Sequence, residues 1–133
     1  RLVKLIRSGI PLPFRSTTKN RRSLIGIDNL SNLIANCIEN FNAPGKIFLV
    51  SDDEDLSTND LLNYIAIAMN RSANLFSMPE LILKFLGYII ARQNEMNRLL
   101  GFLQVDIEYT KKTLNWTPPL SAKEGIRKMV QEK

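Results

Sequence analysis

The run Ile47-Phe48-Leu49-Val50 constrains this chain more than any other feature. Four consecutive apolar residues leave neither side of an extended segment for water, which is the pattern of a strand covered on both faces. Asn42-Ala43-Pro44-Gly45 before it reads as a turn, and the acidic run Asp52-Asp53-Glu54-Asp55 closes it. We therefore expect a strand over residues 46–51 in a central, two-sided position. A strand covered on both faces needs helices around it.

The chain supplies them. Residues 1–8 read as the end of an amphipathic helix with no cap before it, which suggests a truncated element, and Gly9 stops it. Leu30, Leu33, Ile34, Cys37, Ile38 and Phe41 fall on one face of a helix capped by Asp28 or Asn29. Ser57, with Asp60 three residues on, opens another, and Ser121 with Glu124 opens the last, both in the capping-box pattern. Pro79 suits the first position of a helix running past Tyr88 towards Arg92. A further helix covers about 93–100, and a helical turn or two about 109–114. Short extended pieces are expected at 10–14, where two prolines confine the chain to a sheet edge, and at 23–27, 74–78 and 104–107. Alternating short strands and helices make the chain α/β. No linker or repeat is visible, so residues 1–133 read as one domain.

Composition narrows the chemistry. The 133 residues are 44% hydrophobic, enough for a modest core. There is no histidine, which excludes Ser-His-Asp and Cys-His catalysis and His-ligated metals. The single cysteine, Cys37, rules out an internal disulfide and fits a reducing, cytoplasmic setting. It sits in an apolar pattern and reads as a small core residue. Residues 81–91 form the longest apolar run; it contains Lys84 and is too short for a bilayer. The acidic run lacks the spacing of a calcium loop and reads as a solvated loop before a helix N-terminus.

The net charge of +5 is placed unevenly: Arg1, Lys4, Arg7, Arg15, Lys19, Arg21 and Arg22 all precede the first acid, Asp28. Such an opening attracts phosphate, nucleic acid or an anionic surface. A non-enzymatic basic interaction domain is therefore one reading. Against it, Phe14 is the only aromatic among the early basics, so base-stacking platforms are poor. The glycines, at 9, 26, 45, 87, 101 and 125, never cluster. Neither a dinucleotide turn nor a P-loop is possible. No Tyr is followed four residues later by Lys.

Four motifs in order carry a resemblance. They are Ile10-Pro11-Leu12-Pro13-Phe14, Arg22-Ser23-Leu24-Ile25-Gly26-Ile27-Asp28-Asn29-Leu30, Lys46-Ile47-Phe48-Leu49-Val50-Ser51, and Leu114-Asn115-Trp116-Thr117-Pro118-Pro119. Together they resemble the carboxy-terminal, substrate-binding half of the extended short-chain dehydrogenase/reductases, the nucleotide-sugar epimerase and dehydratase family. The last motif has Asn115 where that family has glycine. Asn20-Arg21-Arg22-Ser23 and Leu103-Gln104-Val105-Asp106 look like the members that handle UDP-N-acetylhexosamines for surface polysaccharide.

The resemblance implies a small α/β substrate-binding domain whose Rossmann half is missing. That half would carry the catalytic Tyr-Lys pair and NAD(H) or NADP(H); neither is expected in this chain, nor is a metal. Arg22 matches the family's diphosphate arginine, since a guanidinium fork grips oxyanions bidentately. Arg98 is the candidate for the second, although the family's usual acid three residues on is absent. Phe14 matches an apolar contact to uracil, or packs at an edge strand. Asp106 touches a ribose hydroxyl or caps the helical turn after it. Trp116 reads as core. Leu81, Phe85 and Tyr88 line the sugar pocket or, on the safer reading, pack in the core. The expected partners are a UDP-sugar, the absent half and a second copy of the chain, with no nucleic acid and no membrane. Leu2, Leu5, Ile6 and the 30–38 face should be exposed without that half and promote self-association.

Overall fold

The computed structural model describes residues 2–89 and 93–131. Among these described residues, seven helices and two short strands run in the order α1 (Leu2–Ser8), β1 (Arg22–Ser23), α2 (Ile27–Glu39), β2 (Asp55–Leu56), α3 (Thr58–Ala68), α4 (Glu80–Ile89), α5 (Gln93–Leu100), α6 (Glu108–Leu114) and α7 (Ala122–Gln131). The architecture is helix-rich with a small sheet, compatible with the α/β expectation. The strands β1 and β2 pair antiparallel, Arg22 opposite Leu56 and Ser23 opposite Asp55. Single parallel bridges add Leu103 beside Arg22 and join Leu12 to Leu75.

Both capping boxes form. The Ser57 hydroxyl accepts from the Asp60 amide while the Asp60 carboxylate accepts from the Ser57 amide. Ser121 and Glu124 do the same at α7. Each satisfies two N–H groups that a helix start leaves without partners. Gly9 ends α1 with φ +69, a left-handed backbone that costs a glycine little. The segment after Pro79 turns into α4, its carbonyl accepting from Ile82 and Leu83. The last residues expected for that helix, through Arg92, lie outside the described residues.

One core cluster is built on α3, where Leu62, Ile65 and Ala66 are buried against Leu83, Leu100 and Ile126. The helix α3 packs on α7 and α1, and α4 packs on α5. A second cluster gathers Leu33, Ile107, Leu114 and Trp116; the Trp116 indole N–H donates to the Asn32 side chain at 2.7 Å.

The structure departs from expectation in several places. Residues 46–50 join no sheet among the described residues. Phe48 and Val50 turn towards the second cluster, while Ile47 is 88% exposed. The alternation of a strand is present, but no neighbouring strand offers hydrogen bonds, and only one face is covered. The strand expected at 23–27 stops at Ser23, and α2 starts at Ile27 with Gly26 as its N-cap and no side-chain cap, so neither Asp28 nor Asn29 caps it. The acidic run is only partly a solvated loop, with Asp53 exposed. Asp52 is buried, Glu54 accepts from the Tyr64 hydroxyl, Asp53 pairs with Lys111, and Asp55 accepts from Ser23 and Gln104. Finally, Leu81, Phe85 and Tyr88 are exposed rather than core, and α4 buries Leu83 instead; Ile6 and Leu33, expected exposed, are buried.

Candidate functional site

Arg22 and Arg98 come from elements far apart in sequence and line one concavity of about 560 Å³. The rest of its wall is Asn94, Asn97, Gly101, Phe102 and Leu103. Among the described residues, the wall therefore holds two guanidinium groups, two amides and one aromatic ring, and no carboxylate. Two cations facing one hollow raise the local positive potential and suit a polyanion. Guanidinium forks add directed donors for paired oxyanions.

Local structure explains each placement. Arg22 lies on β1 between two neighbours: Leu56 across the antiparallel pair and Leu103 across the parallel bridge. The Leu103 amide donates to Arg21 O at 2.9 Å, and the Ser23 amide donates to Leu103 O at 2.8 Å. Side chains lock the same junction. The Ser23 hydroxyl donates to Asp55 and accepts from the Val105 amide at 2.8 Å, and Gln104 donates to Asp55 at 2.6 Å. Arg98 sits in the last turn of α5. Its turn closes at Gly101, whose amide donates to Asn97 O at 2.8 Å. A Cβ at 101 would stand 2.6 Å from that carbonyl oxygen, so only glycine fits.

Two of the four residues singled out in the sequence thus come together, and two do not. The structure places Phe14 at 4% exposure in the first core cluster, outside the concavity. Its large ring is used in packing. Asp106 is exposed and accepts from the Glu108 amide at 2.8 Å, just ahead of α6, whose N-cap is Ile107 without a side-chain cap. Sequence reading missed Asn94, Asn97, Phe102 and Leu103. A signal for Phe102 existed: an aromatic beside Gly101, where a core helix had already ended.

A second cavity, about 450 Å³, lies among α2, α3 and α7 and is walled mostly by apolar side chains such as Leu24, Leu61, Ile126 and Met129. Its charged residues are already engaged. Lys128 pairs with Asp28 at 2.9 Å. Asp52 accepts from the Gly26 amide at 2.9 Å and from Asn29 at 2.6 Å. Among the described residues no group of three His, Cys, Asp or Glu side chains could hold a metal ion, and no helix is long and apolar enough to cross a membrane.

Electrostatics elsewhere on the surface are local. Hydrogen bonding to Lys111, then its charge, holds the Glu108 carboxyl below its usual range. Hydrogen bonds from Ser121 lower that of Glu124. Burial, reinforced by Glu54, raises the Tyr64 hydroxyl.

The sequence is 42% identical over 130 residues, 98% of this chain, to a UDP-glucose 4-epimerase of Vibrio cholerae. It is 21% identical over 143 residues, 96% of this chain, to an uncharacterized protein, y4nL, of Sinorhizobium fredii. In both cases the chain spans 40% of the relative's length. No family model matches the chain, and no solved structure matches it.

Proposed function

We propose that this chain is the substrate-gripping portion, one domain over residues 1–133, of a nucleotide-sugar epimerase-type enzyme. The observation that carries the reading is the pair Arg22 and Arg98 in one concavity, in a chain 42% identical to part of an epimerase. Arg22 and Arg98 hold the two phosphates of a UDP-sugar. Phe102, 67% exposed at the rim, offers its face to uracil, the part first sought in Phe14. Asn94 and Asn97 donate to hydroxyls. The sugar class we favour is a UDP-N-acetylhexosamine destined for surface polysaccharide, made in the cytoplasm.

The chemistry of such a parent belongs to the remainder of its polypeptide, a Rossmann half. There NAD(H) or NADP(H) would carry the hydride between sugar and nicotinamide. This chain does not fit that cofactor. The glycine-led start of α2, at Gly26, is already filled by the Asp52 carboxylate, which takes the place a pyrophosphate would need. What these residues do is bind and orient the sugar nucleotide.

The remaining polypeptide also accounts for an uncovered apolar face. Ile34, Ile38, Phe41, Ile47 and Leu49 are all more than half exposed, and residues 46–50 pair with no strand among the described residues. Alone, the chain should associate through this face as a homodimer.

Calorimetric titration of the chain with UDP tests the grip. Arg22→Ala and Arg98→Ala are each expected to weaken binding at least about tenfold, the equivalent of one charge-assisted hydrogen bond. UDP that fails to bind, together with salt-dependent retention on DNA, would replace this reading with a basic interaction domain.

A further inference from the structure

Two guanidinium groups repel each other, so holding both at one concavity needs a scaffold. The side chain of Asn20 sits where such a scaffold must be. It is 4% exposed, unusual for an amide, and it stands two residues before Arg22. Its Nδ2 donates to the backbone carbonyl of Leu99, the residue after Arg98, at 2.9 Å. The same nitrogen donates to the Thr58 hydroxyl at 3.0 Å. Its Oδ1 accepts from the Thr58 amide at 3.3 Å. The Thr58 hydroxyl in turn donates to Leu99 O. One buried knot therefore ties the lead-in to β1, the start of α3 and the end of α5 together.

We propose that Asn20 is a positioning residue that fixes the spacing of Arg22 and Arg98, with Thr58 as its anchor. It touches neither the concavity nor a ligand; it acts through the two backbones that carry the arginines. A buried amide that satisfies both donors and its acceptor is rigid, because any rotation leaves a polar group without a partner. The inference rests on the diphosphate reading and gives it a mechanism. The grip recognises two phosphates at a set distance, so it discriminates a nucleoside diphosphate from a monophosphate.

UDP and UMP are the probes. In the unaltered chain UDP should bind more tightly than UMP. Asn20→Ala should lower UDP affinity about tenfold, as when one of two arginines leaves its phosphate, and leave UMP affinity nearly unchanged. A purely structural defect would lower both together, and that result would overturn the proposal, as would an unchanged UDP-to-UMP ratio. If Asn20→Ala fails to fold, Thr58→Val and Thr58→Ser decide. The valine should lose the UDP preference and the serine, which keeps the hydroxyl, should retain it. Equal ratios in the two variants would count against the knot. The diphosphate reading fails separately: Arg22→Ala and Arg98→Ala would then leave UDP affinity unchanged, or the unaltered chain would not prefer UDP at all. Either result removes the positioning role with it.

Discussion

Replacing Asn29 by alanine should be among the most damaging single changes in this chain. The side chain is 1% exposed. Its Nδ2 donates to Asp52 Oδ1 at 2.6 Å and to Leu120 O at 2.8 Å, and its Oδ1 accepts from the Leu120 amide at 3.0 Å. It thus joins α2, the acidic run and the lead-in to α7. Alanine removes all three bonds and leaves polar groups behind. Two neutral bonds at about 1 kcal/mol each and one to a carboxylate at about 2 kcal/mol give a loss near 4 kcal/mol. That is a large part of the 5–15 kcal/mol that usually holds a domain. At roughly 4 °C per kcal/mol for a chain of this size, the melting temperature should fall by about 15 °C. Urea unfolding should show the midpoint moving with little change in slope. Asn29→Asp sets a second carboxylate against Asp52. Repulsion raises a folded-state pKa above its unfolded value, so this variant should lose stability as pH rises through the carboxylate range and recover in acid. A loss under about 1 kcal/mol for the alanine variant would refute the reasoning, since one bond alone accounts for that much.

Three further outcomes are expected. Gly101→Ala forces a methyl against Asn97 O and should cost about 1–3 kcal/mol while weakening UDP binding, read by thermal melts and calorimetry. Asn115 caps α6 in the left-handed region, φ 49 and ψ 45. Asn115→Gly should therefore be nearly neutral and Asn115→Val should cost about 1–2 kcal/mol. The lowered pKa of Glu108 means that its pairing with Lys111 contributes above the ordinary value of 4.5 and is lost as pH falls through the lower folded value. The difference in urea midpoint between the unaltered chain and Glu108→Gln should therefore close on acidification.

Local physics made much of the chain legible from sequence. Capping boxes at Ser57 and Ser121, the stop at Gly9, the turn at 42–45 and the span of α5 follow from hydrogen-bond and backbone rules that act within one helical turn. Asn115 in place of a motif glycine also has a local reason, since both residues tolerate the left-handed backbone found there. The family resemblance, together with the affinity of guanidinium for oxyanions, pointed to Arg22 and Arg98.

What sequence could not decide is which residues meet. The run 46–50 has the composition of a two-sided strand, yet a strand is a property of pairs, and among the described residues no partner stands beside it. Phe14 carries the right chemistry for a nucleobase contact, but burial depends on what packs against it, and the core took it. Asn20 and Asn29 look like ordinary polar residues in the chain. Each reaches groups distant in sequence, Leu99 and Leu120 respectively. The sequence by itself determined the local elements and the cationic character of the site, because those depend on neighbours along the chain. Only the tertiary structure decided that two arginines share one hollow and that a buried asparagine links the backbones behind them, because those depend on neighbours in space.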